Sequence, residues 1–406
     1  MLEGKIFYKG SFIEAGIEID NGRIKRIGKL VKGKKVQGII LPAGIDVHVH
    51  FRDFEEKRKE TIETGSLSAL HGGICLVVDQ PNTKPPVDNE DIYFKRMEIA
   101  ERKSYVDYSL NLALTKNNAD RIEDVLRRIS ARYHLPAIGE VFLENKNKEL
   151  EVGYEELSKV KGIWRISVHA EDPSLVKSGF PNFLYRPKEA EIIAVRKCLD
   201  ISNFHFCHLS TREAVEIVEK TASSFEVTPH HILLSTRDFE RLGNLVNVNP
   251  PLRDKGDAEW LLKNFSRIKI LASDHAPHTI EDKESGSPGF PGVETMYPIF
   301  LRLAKLGIIG FRDLVEKIAR NPAKLFGFSD YGEIEVGKFA NFAVFDLKDV
   351  RKIKAEDLHS KCSWTPYEGF EAIFPKMVFI RGEEVLESGT RIGRTISSHF
   401  SSGKEI

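Results

Sequence analysis

IDVHVHFRD, residues 45–53, closes an apolar run with two imidazoles two positions apart. Along a strand successive side chains alternate, so His48 and His50 leave the same face. Runs of this kind recur down the chain: Ile39–His48, Ile74–Asp79, Tyr108–Leu114, Ala137–Leu143, Ile163–His169, Phe204–His208, Phe225–His230 and Ile268–Asp274. Most intervals between them carry helical periodicity, as in Thr61–His71, Glu90–Lys103, Asp120–Tyr133, Lys188–Leu199 and Arg212–Lys220. Eight β-rich runs alternating with amphipathic helices predict an α/β fold, a (β/α)8 TIM-like barrel. A doubly wound open sheet is the alternative that the pattern leaves open.

Both chain ends have another rhythm. Lys5–Tyr8, Phe12–Ile19 and Arg23–Ile27 are strand-like, and Asn21-Gly22 between two of them signals a hairpin. EIEVGKFANFAVFD (residues 333–346) and MVFIRGEEVLES (residues 377–388) are also β-rich, with Gly-centred turns. Residues 1–40 and 331–406 are therefore expected to form one small β-sandwich domain from both termini, beside a catalytic barrel of residues 41–330.

Composition removes several function classes. Lys+Arg and Asp+Glu are 60 each in 406 residues, which argues against nucleic-acid binding by phosphate neutralisation. The chain has no GxxxxGK[ST] and no GxGxxG between a strand and a helix, so nucleotide use is not expected. At 41% hydrophobic and 30% charged residues a core can form and wholesale disorder is excluded. Cys75, Cys198, Cys207 and Cys362 make no CxxC pair, which speaks against a thiolate zinc site and fits a reducing cytoplasm. No apolar run approaches a membrane span, and MLEGKIFYKG does not read as a signal peptide, so a cytoplasmic protein is expected.

Several runs end in residues able to hold a metal: His48 and His50, His169, His208, His230-His231 and Asp274, with Glu140 inside the fourth. Barrel strands all point one way and sites form at their carboxyl ends, so residues remote in sequence can converge there. A lone His-x-His fits an ordinary strand, but core histidines have no reason to gather at strand ends. Imidazoles with carboxylate suit Zn2+ or a similar ion. His48, His50 and Asp274 would make one metal site, and His169 with His208 a second. Glu140, in IGEVFLE, is the best placed bridging carboxylate; a solvent-facing or salt-bridged Glu is the plainer alternative. A paired metal site points to hydrolysis, because bound water falls in pKa from about 15.7 toward 7. Asp274 could bind metal through one oxygen and carry a proton on the other. His230, His231 and His275 read as supporting or core residues.

The strings IDVHVHFRD, VVDQPNTKPP, VHAED, CHLST, VTPHH, VNPPLRD, SDHAPHT and PGFPGVET stand in this order. Together they resemble the dihydroorotase family of the amidohydrolase superfamily, from about Leu41 to Leu325 and more loosely beyond. The resemblance implies a metal-dependent barrel flanked by a β-sandwich. It implies reversible cyclisation of N-carbamoyl-L-aspartate to L-dihydroorotate in pyrimidine synthesis, with two Zn2+ per chain. His48, His50 and Asp274 match one metal site, His169 and His208 the other, and Asp274 also the proton carrier. For substrate it implies Arg52, whose guanidinium fork suits the ring carboxylate, with Asn82 and Asn249. His278 would be another carboxylate partner, and Pro288 and Gly289 would offer backbone groups. The plainer reading of Arg52 is an ion pair with Asp53 or Glu55. The implied partners are the small-molecule substrate, a second copy of the chain, and aspartate carbamoyltransferase.

One position departs from the family pattern. Many relatives carry a Lys on the fourth strand that bridges the metals as a carbamate. The matching place here is Val141, or Glu140 by a one-residue shift. Val cannot ligate, so Glu140 is the expected substitute. Hydantoinase-like and allantoinase-like enzymes are the rivals within the superfamily, and Arg52 favours dihydroorotase because their substrates lack the ring carboxylate. A non-catalytic dihydroorotase-like subunit is a further rival, disfavoured by the intact His/Asp set. Asn145–Glu151 and Glu281–Gly292 are candidate loops to close over substrate.

Overall fold

The computed structural model describes residues 1–398. The expected run Ile39–His48 is two strands, not one. β4 (Lys34–Pro42) follows β1 (Leu2–Tyr8), β2 (Ser11–Asp20) and β3 (Arg23–Gly28), and β5 (Gly44–Val49) begins a different sheet. Pro42 has no N–H to extend a ladder. At Gly44 the backbone passes so close to Ile74 that a Cβ would lie 2.5 Å from its Cδ1. The chain therefore changes sheets between these residues.

β5, β6 (Ile74–Asp79) and β7 (Asp107–Leu110) form a three-stranded sheet. β8 (Ile138–Phe142), β9 (Ile166–His169), β10 (His205–Phe206), β11 (Ser224–Val227) and β12 (Ile270–Leu271) form a five-stranded one. All neighbours in both sheets are parallel. Parallel bridges Leu112↔Ile138 and Val49↔His275 join the two sheets at both edges. Every carboxyl end thus faces the same side. β5 and β6 are buried along their whole length, as strands covered on both faces must be.

The helices between them start where the sequence offers caps. Thr61 and Asn89 accept backbone N–H groups at the starts of Ile62–His71 and Glu90–Lys103, satisfying donors that a first helical turn leaves free. Several expected strands end early: β7 stops at Leu110 rather than Leu114, and β10 at Phe206 rather than His208. β11 stops at Val227, where Thr228 caps the helix Pro229–Leu233, so His230 sits on a helical turn; proline suits that first helical position. β12 is short, and Asp274 lies beyond it.

Both termini do build one β unit. β13 (Phe342–Phe345), β14 (Pro375–Ile380) and β15 (Glu383–Glu384) join β1–β4 in a seven-stranded sheet of order β15-β14-β13-β4-β1-β2-β3. Asn21 and Gly22 take φ of 49° and 77°, the conformation that a tight hairpin turn requires. Alternate residues face opposite ways. Ile39, Leu41, Ala343 and Phe345 join the main core, while Ile40, Phe342 and Val344 enclose a smaller one with Ile6, Ile17 and Phe379. Hydrogen bonds between Ile24 and residues 337–338 fold the β3 edge back on the sheet. The terminal strands thus make one sheet with a core on each face. The last described residues leave it: Thr395 bridges to Tyr108, and the His134 N–H donates to the Ile396 carbonyl. Residues 399–406 of the expected terminal unit lie outside the described residues. Among the described residues no helix is long and apolar enough to cross a membrane.

Candidate active site

The carboxyl ends of the parallel strands bring the expected ligands to one place. His48 lies on β5 and His50 just past it, Glu140 on β8, His169 at the end of β9, His208 just past β10, and Asp274 beyond β12. Ring centroids are 5.2 Å apart for His48–His50, 5.1 Å for His48–His208 and 4.7 Å for His169–His208. Glu140 stands among these rings. Its Oε1 is 3.0 Å from His169 Nδ1 and 2.7 Å from His208 Nε2. Its Oε2 is 3.4 Å from His48 Nε2 and 3.8 Å from His50 Nε2. Asp274 Oδ1 is 3.0 Å from His50 Nε2 and 3.6 Å from His48 Nε2. Val141, the other residue considered at the fourth strand, is buried in the apolar core. His208, Asp274 and Arg52 all take left-handed backbone conformations, with φ of 31°, 46° and 48°; such conformations concentrate at functional sites.

This donor set fits a divalent cation. His48 Nε2 is buried and has no hydrogen-bond partner among the described residues. Two ligand atoms on one tetrahedral ion lie about 3.3–3.5 Å apart when each bond is about 2.0–2.1 Å. The spacings from His48 Nε2 to Glu140 Oε2 and Asp274 Oδ1, 3.4 and 3.6 Å, are of that size. Burial alone would raise the Asp274 carboxyl. The hydrogen bond with His50 and the charges of His48, His50 and His208 outweigh it and hold Asp274 well below the usual carboxylate range. Glu140 is likewise held low against its burial, by the charge of His48 and by hydrogen bonds with His169 and His208.

An outer ring of side chains orients these groups. Glu226 on β11 pairs with His48 Nδ1 and lies 3.2 Å from His205 Nε2. Burial would push its carboxyl up, but the charge of His48 and the hydrogen bonds of His205 and His48 bring it down to about 2. Asn82 Oδ1 is 2.8 Å from His50 Nδ1. Glu171 Oε2 is 2.7 Å from His169 Nε2 and is gripped by Arg186, which reaches on to Glu144 at 2.8 Å. Such partners fix the tautomer and aim of a ligating imidazole.

Above the ligands opens a cavity of about 870 Å³, lined among others by His50, Arg52, Asn82, Glu140, His169, Asn249, Asp274, His278, Pro288 and Gly289. The expected contact residues are thus gathered in one space. Of the two expected loops, residues 145–150 and 288–289 contribute to its wall. Arg52 is buried but makes no ion pair among the described residues; Asp53 pairs with Lys103 instead, at 3.2 Å. The Arg52 guanidinium donates to His278 Nε2 at 3.3 Å. Burial, then the charges of Arg52, Lys59 and Lys283, hold His278 neutral, well below the ordinary histidine range. Gly289, at φ 140°, would place a Cβ 2.3 Å from the Ala276 carbonyl oxygen, so only glycine fits. Its N–H donates to the Asn247 carbonyl, and its own carbonyl accepts from the buried Lys283 ammonium.

Glu226, Glu171 and Arg186 were not singled out from the sequence. Glu226 had a signal, a carboxylate inside the apolar run SFEV, and Glu171 another, two places past His169 in VHAED. His231 bonds to Thr228 and to the Pro250 carbonyl, His275 accepts from Gly292, and His230 packs on Phe290 with a buried ring nitrogen unpartnered. A further trio, His71, Glu294 and His359, lies elsewhere. Its two rings stack at 3.6 Å and 21°, which aims their lone pairs side by side, so no single ion lies in both ring planes.

Known proteins bear on this arrangement in two ways. Residues 39–385 match the family model described as the amidohydrolase family. A protein named dihydroorotase from Archaeoglobus fulgidus is 62% identical over 98% of this chain and 99% of its own length. One of the same name from Pyrococcus abyssi is 41% identical over 97% and 96%. Among solved structures, an L-hydantoinase from Arthrobacter aurescens superposes with a TM-score of 0.86 at 22% identity, covering 97% of this chain and 96% of its own. A D-hydantoinase from Thermus sp. gives 0.84 at 24%, covering 97% of each. At such identities these two speak for the fold alone.

Proposed function

This chain belongs to the amidohydrolase family, and we propose that it is a dihydroorotase, interconverting L-dihydroorotate and N-carbamoyl-L-aspartate in pyrimidine synthesis. In the hydrolytic direction the ring amide C–N bond breaks. The oxygen of water ends on the carbonyl carbon as a carboxylate, and a proton from that water ends on the nitrogen. His48, His50 and Asp274 would hold one Zn2+, and His169, His208 and Glu140 a second; when bound, such ions would supply a nucleophile at neutral pH and polarise the scissile carbonyl. Asp274 accepts the proton at its carboxylate and delivers it to the departing nitrogen. It is suited to this because it stays ionised in the free site.

The ring carboxylate goes to Arg52, whose fork makes no ion pair with an acid among the described residues. His278 steadies that fork as a neutral acceptor. Asn82 holds His50 with its oxygen, leaving its NH2 for the ligand, and Asn249 meets the polar atoms of the ring. The Gly289 N–H is already committed, so Pro288 and Gly289 contribute carbonyl oxygens, that of Gly289 through the lone pair that Lys283 leaves free. On this reading the two parallel sheets close as a (β/α)8 barrel over residues 41–330, the terminal strands form the β-sandwich unit, and the enzyme works in the cytoplasm.

The observation that carries the reading is the Arg52 guanidinium, which makes no ion pair among the described residues and faces the same cavity as Glu140 and Asp274. Hydantoin, allantoin and dihydrouracil offer it no carboxylate. The purified protein is expected to turn over dihydroorotate far faster than any of these three and to carry zinc. Equal rates on dihydrouracil, or activity that survives complete metal removal, refutes the proposal.

A further inference from the structure

Asn249 meets the cavity with an amide whose two ends are alike in shape but opposite in chemistry, one donating and one accepting. The group that orients it lies outside the cavity wall. Asn182, buried at the start of the turn Asn182–Leu184, donates from Nδ2 to the Val248 carbonyl at 2.7 Å and to Asn249 Oδ1 at 2.8 Å. Its own N–H donates to Asn247 Oδ1 at 3.0 Å. A backbone carbonyl can only accept, so the atom facing Val248 has to be Nδ2. The second hydrogen of that NH2 then demands an acceptor on Asn249. The NH2 of Asn249, without a protein partner among the described residues, is left for the cavity. Asn182 Oδ1 is buried with no partner, so donating twice is all that this side-chain amide does.

We propose that Asn182 is a positioning residue that locks Asn249 as a hydrogen-bond donor, so that the site selects ligands presenting an acceptor there, a ring carbonyl of a cyclic ureide. This rests on the dihydroorotase reading. Were residue 182 able only to accept, Asn249 would turn its NH2 toward it and present a carbonyl to the ligand's carbonyl. A site built around a donor then meets an unpaired acceptor, a costly exchange in a buried place.

The test is a double-mutant cycle in the metal-loaded enzyme with dihydroorotate as substrate. Asn182→Asp and Asn182→Ala are each made alone and with Asn249→Ala, and kcat/KM, melting temperature and zinc content are measured. Asn182→Asp is expected to lower kcat/KM by about 10- to 100-fold, and Asn182→Ala by about 3- to 10-fold. In the Asn249→Ala background either change should cost less than about 2-fold, because the residue it orients is gone. A merely structural role would lower the melting temperature and multiply with Asn249→Ala, and that result overturns the inference. Should Asn182→Asp fail to fold, the Asn182→Ala cycle decides alone. Wild-type protein that does not turn over dihydroorotate sinks the functional reading and this inference with it; an active wild type with multiplying losses sinks only the inference.

Discussion

Replacing Glu226 by Gln isolates the charge that sits behind the metal ligands. Glu226 is fully buried, pairs with His48 Nδ1, and faces His205 Nε2 at 3.2 Å. Gln has the same shape. It can keep its oxygen toward the His48 N–H and turn its NH2 toward His205 Nε2, which accepts once His205 carries its proton on Nδ1, toward Ser224 Oγ at 2.9 Å. The number of hydrogen bonds is conserved and one negative charge is lost. A hydrogen bond to a charged partner contributes about 1.5–3 kcal/mol against about 0.5–1.5 for a neutral one. Loss of an outer partner of a ligating histidine weakens metal binding by about 10- to 100-fold, or about 1.4–2.7 kcal/mol, in line with that difference. The assay strips the protein with a chelator and titrates zinc back against a chromogenic competitor of known affinity, with circular dichroism confirming the fold. Glu226→Gln should bind its weakest-held ion about 10- to 100-fold less tightly, and Glu226→Ala, which leaves His48 Nδ1 without an acceptor, more weakly still. If Glu226→Gln holds zinc with wild-type affinity, His48 is not a ligand steered from behind, and the reasoning fails.

Asp274→Asn should lower turnover of dihydroorotate by about 10²–10⁴-fold, the usual size of a general acid–base contribution; a near-wild-type rate removes Asp274 from proton transfer. Glu140→Gln should reduce tightly held zinc from two ions per chain toward one, measured by elemental analysis after exhaustive dialysis, because each Glu140 oxygen faces a different imidazole pair. Two ions retained would count against the bridge. Arg52→Lys keeps the charge but loses the fork, so kcat/KM should fall about 10-fold or more with zinc content unchanged; an unaltered KM would make Arg52 structural. His71 tests a different part of the molecule. Burial, and then the neighbouring His359, hold it down to about 4 from 6.5. The unfolded chain therefore binds a proton that the folded one refuses, so His71 subtracts stability as pH falls from about 6.5 toward about 4. His71→Phe preserves a ring for the stack and should flatten the acid limb of melting temperature against pH; an identical acid limb in both proteins contradicts this account.

The parts of the fold written in short stretches were the legible ones. Asn21-Gly22 marks its hairpin because few residue pairs accept φ of 49° and 77°. Glu90–Lys103 was readable to the residue, because Asn89 caps its start and its apolar positions keep helical spacing. The division of Ile39–His48 into β4 and β5 was not, since an apolar run looks the same whether it serves one sheet or two. Only the pairing of β4 with β1 and β13 separates them. The apolar pattern of Phe225–His230 predicts a strand through His230, whereas Thr228-Pro229, a local helix-cap signal, ends β11 at Val227.

The sequence by itself determined the chemistry on offer: which imidazoles and carboxylates close successive apolar runs, and that Arg52 follows the first pair. Spacing along a strand is set by covalent geometry, so the common face of His48 and His50 needs no knowledge of the rest of the chain. Tertiary structure decided the assignments between remote residues. It stood Glu140 between two imidazole pairs, put Glu226 behind His48 and left Arg52 without an acid partner among the described residues. It also turned the Asn249 amide through Asn182, 67 positions away in the chain. Those relations depend on how strands stack and loops return, and each is settled by the need to pair buried polar groups in three dimensions, a demand that no local stretch of sequence records.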